Sequence, residues 1–270
     1  MKSVRTIALL LLSLSFLAAT SFAAQPLKEP WGLAVDAKGN LYVSNFAANQ
    51  VLVYNVNYKQ MPAKTITSGI SSPTGLAFDP LGNLWVANFT GSVTEYGPTG
   101  VQDTTRTITN GIFSPYNIAT DGLGDILVNN NFSNLTIYPQ FGNAPAKSIN
   151  FSTAITGLGT YKMWSAYGSN TTIGLREISL ELSGAYAAGA DFGQTGYAIA
   201  FDTTGKLYSA NLDGSLTVIF NGGLTSLTQL GYRADGIAVD SVRGRIYVSS
   251  ANGNFIQVYS TAGTLLTTLK

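Results

Sequence analysis

The sequence predicts an all-β fold, a six-bladed β-propeller of four-stranded antiparallel blades, and three observations carry that expectation. A phrase recurs along the chain, reading PWGLAVDAKGNLYVSN from Pro30 to Asn45 and PTGLAFDPLGNLWVAN from Pro73 to Asn88, with later copies at Pro115 to Asn130, Gly196 to Asn211 and Ala234 to Ser250. The Asp that closes each opening apolar run falls at Asp36, Asp79, Asp121, Asp202 and Asp240, in steps of 43, 42, 81 and 38 residues. Within each copy, short alternating runs rich in Val, Ile, Leu, Tyr and Trp are separated by Gly, Asn and Asp, the pattern of strands and turns. A step of 81 holds two periods, so a further copy is expected between Asp121 and Asp202. There Met163-Trp164 stands for Leu41-Tyr42, and Ile173 follows the aromatic by nine residues as Val51 does. A four-stranded unit of roughly 40–45 residues cannot bury both faces alone, and a closed ring of such units leaves no exposed end.

In the first copy the expected strands are Gly32 to Val35, Leu41 to Ser44, Val51 to Tyr54 and Ala63 to Thr67. Between the first two, the Asp36 carboxylate accepts local backbone N–H groups and Gly39 takes positive φ, with Gly82, Gly124, Gly205 and Gly244 in the same place. The fourth copy lacks the Pro-x-Gly and Asp signals over Ser152 to Leu158, so an irregular blade is expected from about Ala154 to Gly189. The last copy ends in its own outer strand near Lys270, so the ring is expected to close by packing between the first and last blades without a borrowed strand.

The phrase Pro-x-Gly-Leu-Ala-Val-Asp-x-x-Gly-Asn-Leu-Tyr-Val, followed by Val-x-Val-Tyr, resembles the NHL repeat from Pro30 to about Tyr259, apart from the weak fourth copy. The resemblance implies a propeller and leaves function open, because such propellers serve as protein-, ligand- and nucleic-acid-binding modules and occasionally as enzymes.

Lys2 and Arg5 precede an apolar stretch from Ile7 to Ala19 and then Ser21-Phe22-Ala23, the pattern of a secretory signal peptide over residues 1–23. Residues 24–270 are then a single propeller, secreted or periplasmic, and an apolar stretch this short does not anchor the chain stably in a membrane. Without the leader, 13 of the 15 basic residues remain against 14 acidic ones, and no basic run appears. Nucleic acid is therefore not an expected partner. The chain contains neither His nor Cys, which excludes Ser-His-Asp and Cys-His catalysis, histidine metal sites and disulfides. Virginiamycin B lyase, a similar propeller expected to use a histidine, is disfavoured on the same ground.

Two rows of residues are expected to meet at one end of the central channel. The residue five before each turn Asp is Trp31, Thr74, Tyr116, Tyr197 or Asp235. The antiparallel second strands end on the same side, at Asn45, Asn88, Asn130, Asn211 and Ser250. Aromatic faces with neutral amides suit a protein, peptide or neutral glycan ligand. The other reading makes the aromatics a channel plug and the amides caps on loop backbone. Phe46, Phe89 and Phe132, with Leu212, form either an apolar collar or packing between blades.

Asp235-Gly236-Ile237-Ala238-Val239-Asp240 also resembles the step by which calcium-dependent gluconolactonases, six-bladed propellers, place one metal-binding Asp at this mouth. The match is partial. Asn117 is displaced by one place, and Trp31 stands where an acid is expected, with Glu29 two residues away. The expectation from sequence is thus a monomeric, cofactor-free binding or scaffold module. The alternative is a metal-dependent lactonase-type hydrolase using calcium at Asp235.

Overall fold

A computed structural model describes residues 23–151, 154–161, 165–170, 174–180, 186–191 and 196–270. Each sheet is an antiparallel meander in chain order. The first has three strands, Pro30–Val35, Leu41–Asn45 and Gln50–Tyr54. Five four-stranded sheets follow, opening with Pro73–Phe78, Pro115–Thr120, Ile155–Tyr161, Gly196–Phe201 and Gly236–Asp240 and closing with Gln102–Ile108, Lys147–Asn150, Tyr186–Asp191, Gly223–Gln229 and Leu265–Leu269. The opening strands touch their neighbours in succession, and the opening strand of the last sheet touches that of the first. The result is a propeller whose innermost strands surround one channel.

The expectation of four strands in every blade is corrected at the first sheet. Where Ala63 to Thr67 is expected as its outer strand, Pro62–Lys64 forms a 3-10 turn and only Ile66 pairs, in an isolated antiparallel bridge with Val51. Proline has a fixed φ and no N–H, so Pro62 cannot contribute a donor to a ladder. The outer edge of Gln50–Tyr54 is met instead by the Met61 N–H on the Val53 carbonyl at 2.7 Å and by the paired Val51 and Ile66 backbones. Five sheets therefore have four strands, and one has three. The irregular fourth copy forms the sheet from Ile155 to Asp191. Trp164 and Ile173, which located it in the sequence, lie outside the described residues.

The repeat residues have repeated duties. Asp36 Oδ1 accepts from the N–H groups of Lys38 and Asn40 at 2.9 and 2.8 Å. Asp79, Asp121 and Asp202 make the same pair of bonds at 2.8–2.9 Å. Asp240, in a longer turn, bonds the Arg243 N–H at 3.0 Å. Each is an Asx-type turn joining the two inner strands.

Glycine near the start of an inner strand lets adjacent blades touch through backbone. A Cβ on Gly32 would lie 2.1 Å from the Thr74 carbonyl oxygen, and one on Gly236 would lie 2.1 Å from that of Trp31. Hydroxyl bonds cross the same seams, from Thr74 Oγ1 to the Pro115 carbonyl at 2.8 Å and from Ser249 Oγ to that of Trp31 at 2.6 Å.

Closure follows the sequence expectation of packing without strand exchange. Leu27, just ahead of the first sheet, is buried with Tyr247, Ile256, Val258 and Leu269 of the last. Glu29 N–H donates to Asn254 Oδ1 at 2.7 Å, and Arg245 Nη1 donates to the Val56 carbonyl at 2.7 Å. Two buried tyrosines pin the segments that lead into their own sheets, Tyr96 Oη donating to the Ser68 carbonyl at 2.6 Å and Tyr138 Oη to that of Asn110 at 2.7 Å.

Two tests follow from this packing. Gly236→Ala forces its methyl against fixed backbone at the closing seam and should cost about 3 kcal/mol in urea unfolding, the upper range for overpacking. Burial pushes the Tyr138 phenol up to about 12 from its ordinary 10.0, its hydrogen bond with Thr136 opposing the rise. A group raised in the folded state contributes its stability fully below the unfolded value and loses it as pH rises through the folded value. The stability advantage of wild type over Tyr138→Phe, about 1 kcal/mol for the lost hydrogen bond, should therefore be constant below pH 10 and shrink between pH 10 and about 12.

Candidate functional site

The channel is a cavity of about 250 Å³ walled by the inner strands. Two residues in from the mouth, the strands present Leu33, Leu76, Ile118, Leu158, Ile199 and Ile237, all buried, and the cavity continues past them to Phe78, Thr120, Thr160, Phe201 and Val239. At the rim the row reads Trp31, Thr74, Tyr116, Thr156, Tyr197 and Asp235. Both rows line the channel, and in five of the sheets the pairing of the two inner strands is irregular at the rim row. Thr74 is buried, with its hydroxyl committed to the carbonyls of Ala87 and Pro115.

The aromatics form one continuous group on the side of the first three sheets. Trp31 stacks on Phe46 with ring centroids 4.9 Å apart and 14° between planes, and meets Tyr116 at 5.2 Å. Phe89 stands edge-on to Tyr116 at 5.6 Å, and Phe132 also packs on Tyr116. All five rings are half-buried. Phe46 and Phe132 thus pack on the rim residue of their own sheet and Phe89 on that of the next, while Leu212 is 39% exposed.

Asp235 is a fixed member of the rim. Its side chain is 4% exposed, Oδ1 accepts from Arg233 Nη2 at 2.9 Å, and Oδ2 accepts from the Ala251 N–H at 2.7 Å. The Arg233 guanidinium lies over the Tyr197 ring, 5.2 Å from its centroid, and is 49% exposed. Burial raises the phenol pKa of both Tyr116 and Tyr197; Arg233 opposes that rise and Asp235 adds to it. Both phenols stay protonated at neutral pH, and among the described residues neither donates a hydrogen bond to the protein. Arg233 was missed in the sequence because it lies two places before the repeating row; the only signal was an Arg-x-Asp step at the start of an inner strand.

The four asparagines are not brought to the rim. Asn45, Asn88, Asn130 and Asn211 are buried. Asn88 Oδ1 accepts from the Ser71 N–H at 2.9 Å, and its Nδ2 donates to the Gly69 carbonyl and to Ser92 and Thr94 hydroxyls. Asn45 bonds Lys28 and Pro26, and Asn130 bonds Phe113 and Gly111, at the same offsets of 17 and 19 residues. Asn211 donates to Ser215 and Thr217. Asn45, Asn88 and Asn130 fasten the backbone leading into their own sheets, the reading in which they cap loops, and Asn211 bonds hydroxyls of the strand that follows it. Their inclusion in a ligand-binding rim is corrected on that ground: polar atoms committed internally have nothing to offer a ligand.

Calcium fits these residues poorly. The ion prefers six to eight oxygen ligands, usually with several carboxylates. Both Asp235 oxygens have partners, one of them a guanidinium that would be repelled by the metal. Asn117 Oδ1 accepts from the Ile118 N–H, and the described residues contain no group of three His, Cys, Asp or Glu able to hold a metal.

Residues 27–54 match the NHL repeat. No curated protein matches the chain. Among solved structures, the chain is similar to XC5397 from Xanthomonas campestris, described as a gluconolactonase, with 15% identity, a TM-score of 0.66 and coverage of 83% of this chain and 84% of that one. It is also similar to virginiamycin B lyase from Staphylococcus aureus, with 14% identity, a TM-score of 0.61 and coverage of 90% and 86%. At these identities the likeness is one of fold.

If the asparagines are fasteners, Asn88→Ala removes the partners of the part-buried Ser71 N–H and Gly69 carbonyl. It should destabilise the protein by about 2–3 kcal/mol in urea unfolding, and Asn88→Asp should not restore the loss, because a carboxylate cannot donate to the Gly69 carbonyl.

Proposed function

We propose that this protein is an exported, monomeric ligand-binding module whose site is the aromatic mouth of the channel, with the three-stranded sheet serving as the sixth blade of the ring. The observation that carries the reading is the convergence of Trp31, Phe46, Phe89, Tyr116 and Phe132, from three separate sheets, onto one half-exposed group of rings above a cup of about 250 Å³. Concave, largely apolar sites with a few polar groups are where small ligands and terminal ligand units bind. Ring faces supply stacking area, and the phenols of Tyr116 and Tyr197 supply donors. The ligand is a glycan, peptide or protein segment inserted end-on. Export is supported by Lys2 and Arg5 ahead of the apolar run Ile7 to Ala19 and by the small residues around Ala23.

The lactonase-type alternative has the fold similarity and the Asp235-Gly236 step in its favour. Such a hydrolase requires carboxylates converging with Asp235, and the rim offers Trp31, Thr74, Tyr116 and Tyr197 at the corresponding places. The binding reading is preferred for that reason.

Trp31 tests the proposal because it belongs to the mouth and contributes only partly to the core. Screened on a mixed glycan and peptide array, wild type should bind at least one class of ligand, and Trp31→Ala should lose that binding while losing only about 1–2 kcal/mol of stability, the worth of its ring contacts. An array with no bound member, or a variant that unfolds, would make the tryptophan a channel plug.

A further inference from the structure

The mouth carries one group that neutral-ligand recognition does not need. Arg233 is 49% exposed, and among the described residues only one of its N–H groups has a protein acceptor, Asp235 Oδ1 at 2.9 Å. A guanidinium has five donors in a planar fork, so one edge remains available. Its position is set from two sides. Tyr197 lies under the plane at 5.2 Å, and Asp235 is itself fixed through the Ala251 N–H at 2.7 Å. An arginine held flat on an aromatic ring and tied at one end has already lost much of the freedom that binding would cost it.

Building on the binding mouth proposed above, we infer that Arg233 selects ligands with a terminal sugar acid, its free edge pairing the sugar carboxylate while the sugar face lies against Trp31 and Tyr116. The Asp235 carboxylate does not cancel this attraction: it is 4% exposed and lies behind the guanidinium, so an incoming anion meets the donor edge at shorter range than it meets Asp235. Arginine is the side chain suited to planar, bidentate carboxylate recognition.

A sugar is favoured over a peptide by what the loops lack. Peptide carboxylates and extended peptides are commonly captured by unpaired backbone groups. Around this mouth, among the described residues, the loop N–H groups of Phe46, Phe89 and Asn131 are used, on the carbonyls of Glu29 at 3.2 Å, Ser72 at 2.9 Å and Ser114 at 3.0 Å. Recognition is left to ring faces, phenols and one guanidinium. The whole channel is about 250 Å³, room for a terminal unit. A fixed guanidinium also supplies the positive charge that a bound cation would otherwise provide, so the site needs no metal.

The test is calorimetric titration of the purified protein with matched disaccharide pairs that differ only in a terminal carboxylate or hydroxymethyl group, such as cellobiouronic acid and cellobiose, together with their galacto and manno counterparts. In at least one pair the acid should bind about tenfold tighter or more, the worth of a charge-assisted bidentate contact, and excess EDTA should leave that ratio unchanged. Arg233→Gln should collapse the ratio to about one. Arg233→Lys should keep a small part of it, since a point charge cannot form the fork. Equal affinity for acid and neutral members, both lost in Trp31→Ala, would overturn the sugar-acid inference and leave the binding mouth standing. An acid preference that survives Arg233→Gln, or that disappears with EDTA, would overturn the role of Arg233. If no disaccharide binds while a peptide on the array does, the sugar inference fails and the mouth remains; if nothing binds, both fail.

Discussion

The close approach of neighbouring inner strands is the constraint on which the rest of the molecule depends. Gly32 and Gly236 lie against carbonyl oxygens of the next strand with no room for a Cβ, and hydroxyls from Thr74 and Ser249 bridge the same seams. Once the inner strands are this near, the channel between them is narrow and the aliphatic row from Leu33 to Ile237 is buried within it. The rim row directly above must then consist of residues forced toward one another, and side chains from different sheets become neighbours. The glycine that joins the blades thereby also assembles the mouth.

What could be read in the sequence is what repeats. The turn aspartates, the strand runs and the closure of the ring without an exchanged strand are set by local chemistry that is the same in each copy, so five or six instances reinforce one inference. The asparagines repeat as well, and their regular spacing was compatible with a polar ring at the rim or with capping. The structure assigns Asn45, Asn88 and Asn130 to capping, because the amide reaches back 17 and 19 residues to a segment that the pattern of strands does not locate. The missing outer strand of the first sheet was written in Pro62, a residue that argues against a ladder, but the expected period of four strands overrode it. Arg233 was illegible for the opposite reason: it repeats nowhere, and its significance comes from Tyr197, which is 36 residues away and belongs to the neighbouring sheet.

The mouth is chemically asymmetric. The rings gather over the first three sheets, whereas the Arg233–Asp235 pair belongs to the last sheet and reaches across to Tyr197 of its neighbour. A packed plug would be served equally well by similar apolar residues in every copy. The observed row instead changes from Trp to Thr to Tyr to Asp, and its polar members differ in how they are used: Thr74 and Asp235 are spent on the protein, while among the described residues the phenols, and beside the row the outer edge of Arg233, are not.

That division explains how one architecture accompanies different chemistries at identities near 15%. The residues that make a propeller are the turn aspartate, the seam glycine, the capping asparagine and the alternating apolar strands, and all of them face inward or into the blades. The residues to which the proposed function assigns a task occupy one row at the start of each inner strand, above the seams. A carboxylate-rich row there would suit a metal. The row in this chain holds two rings that meet, two phenols and a carboxylate already bound to arginine. Its chemistry is stacking and ion pairing, and the binding function proposed above rests on those two interactions.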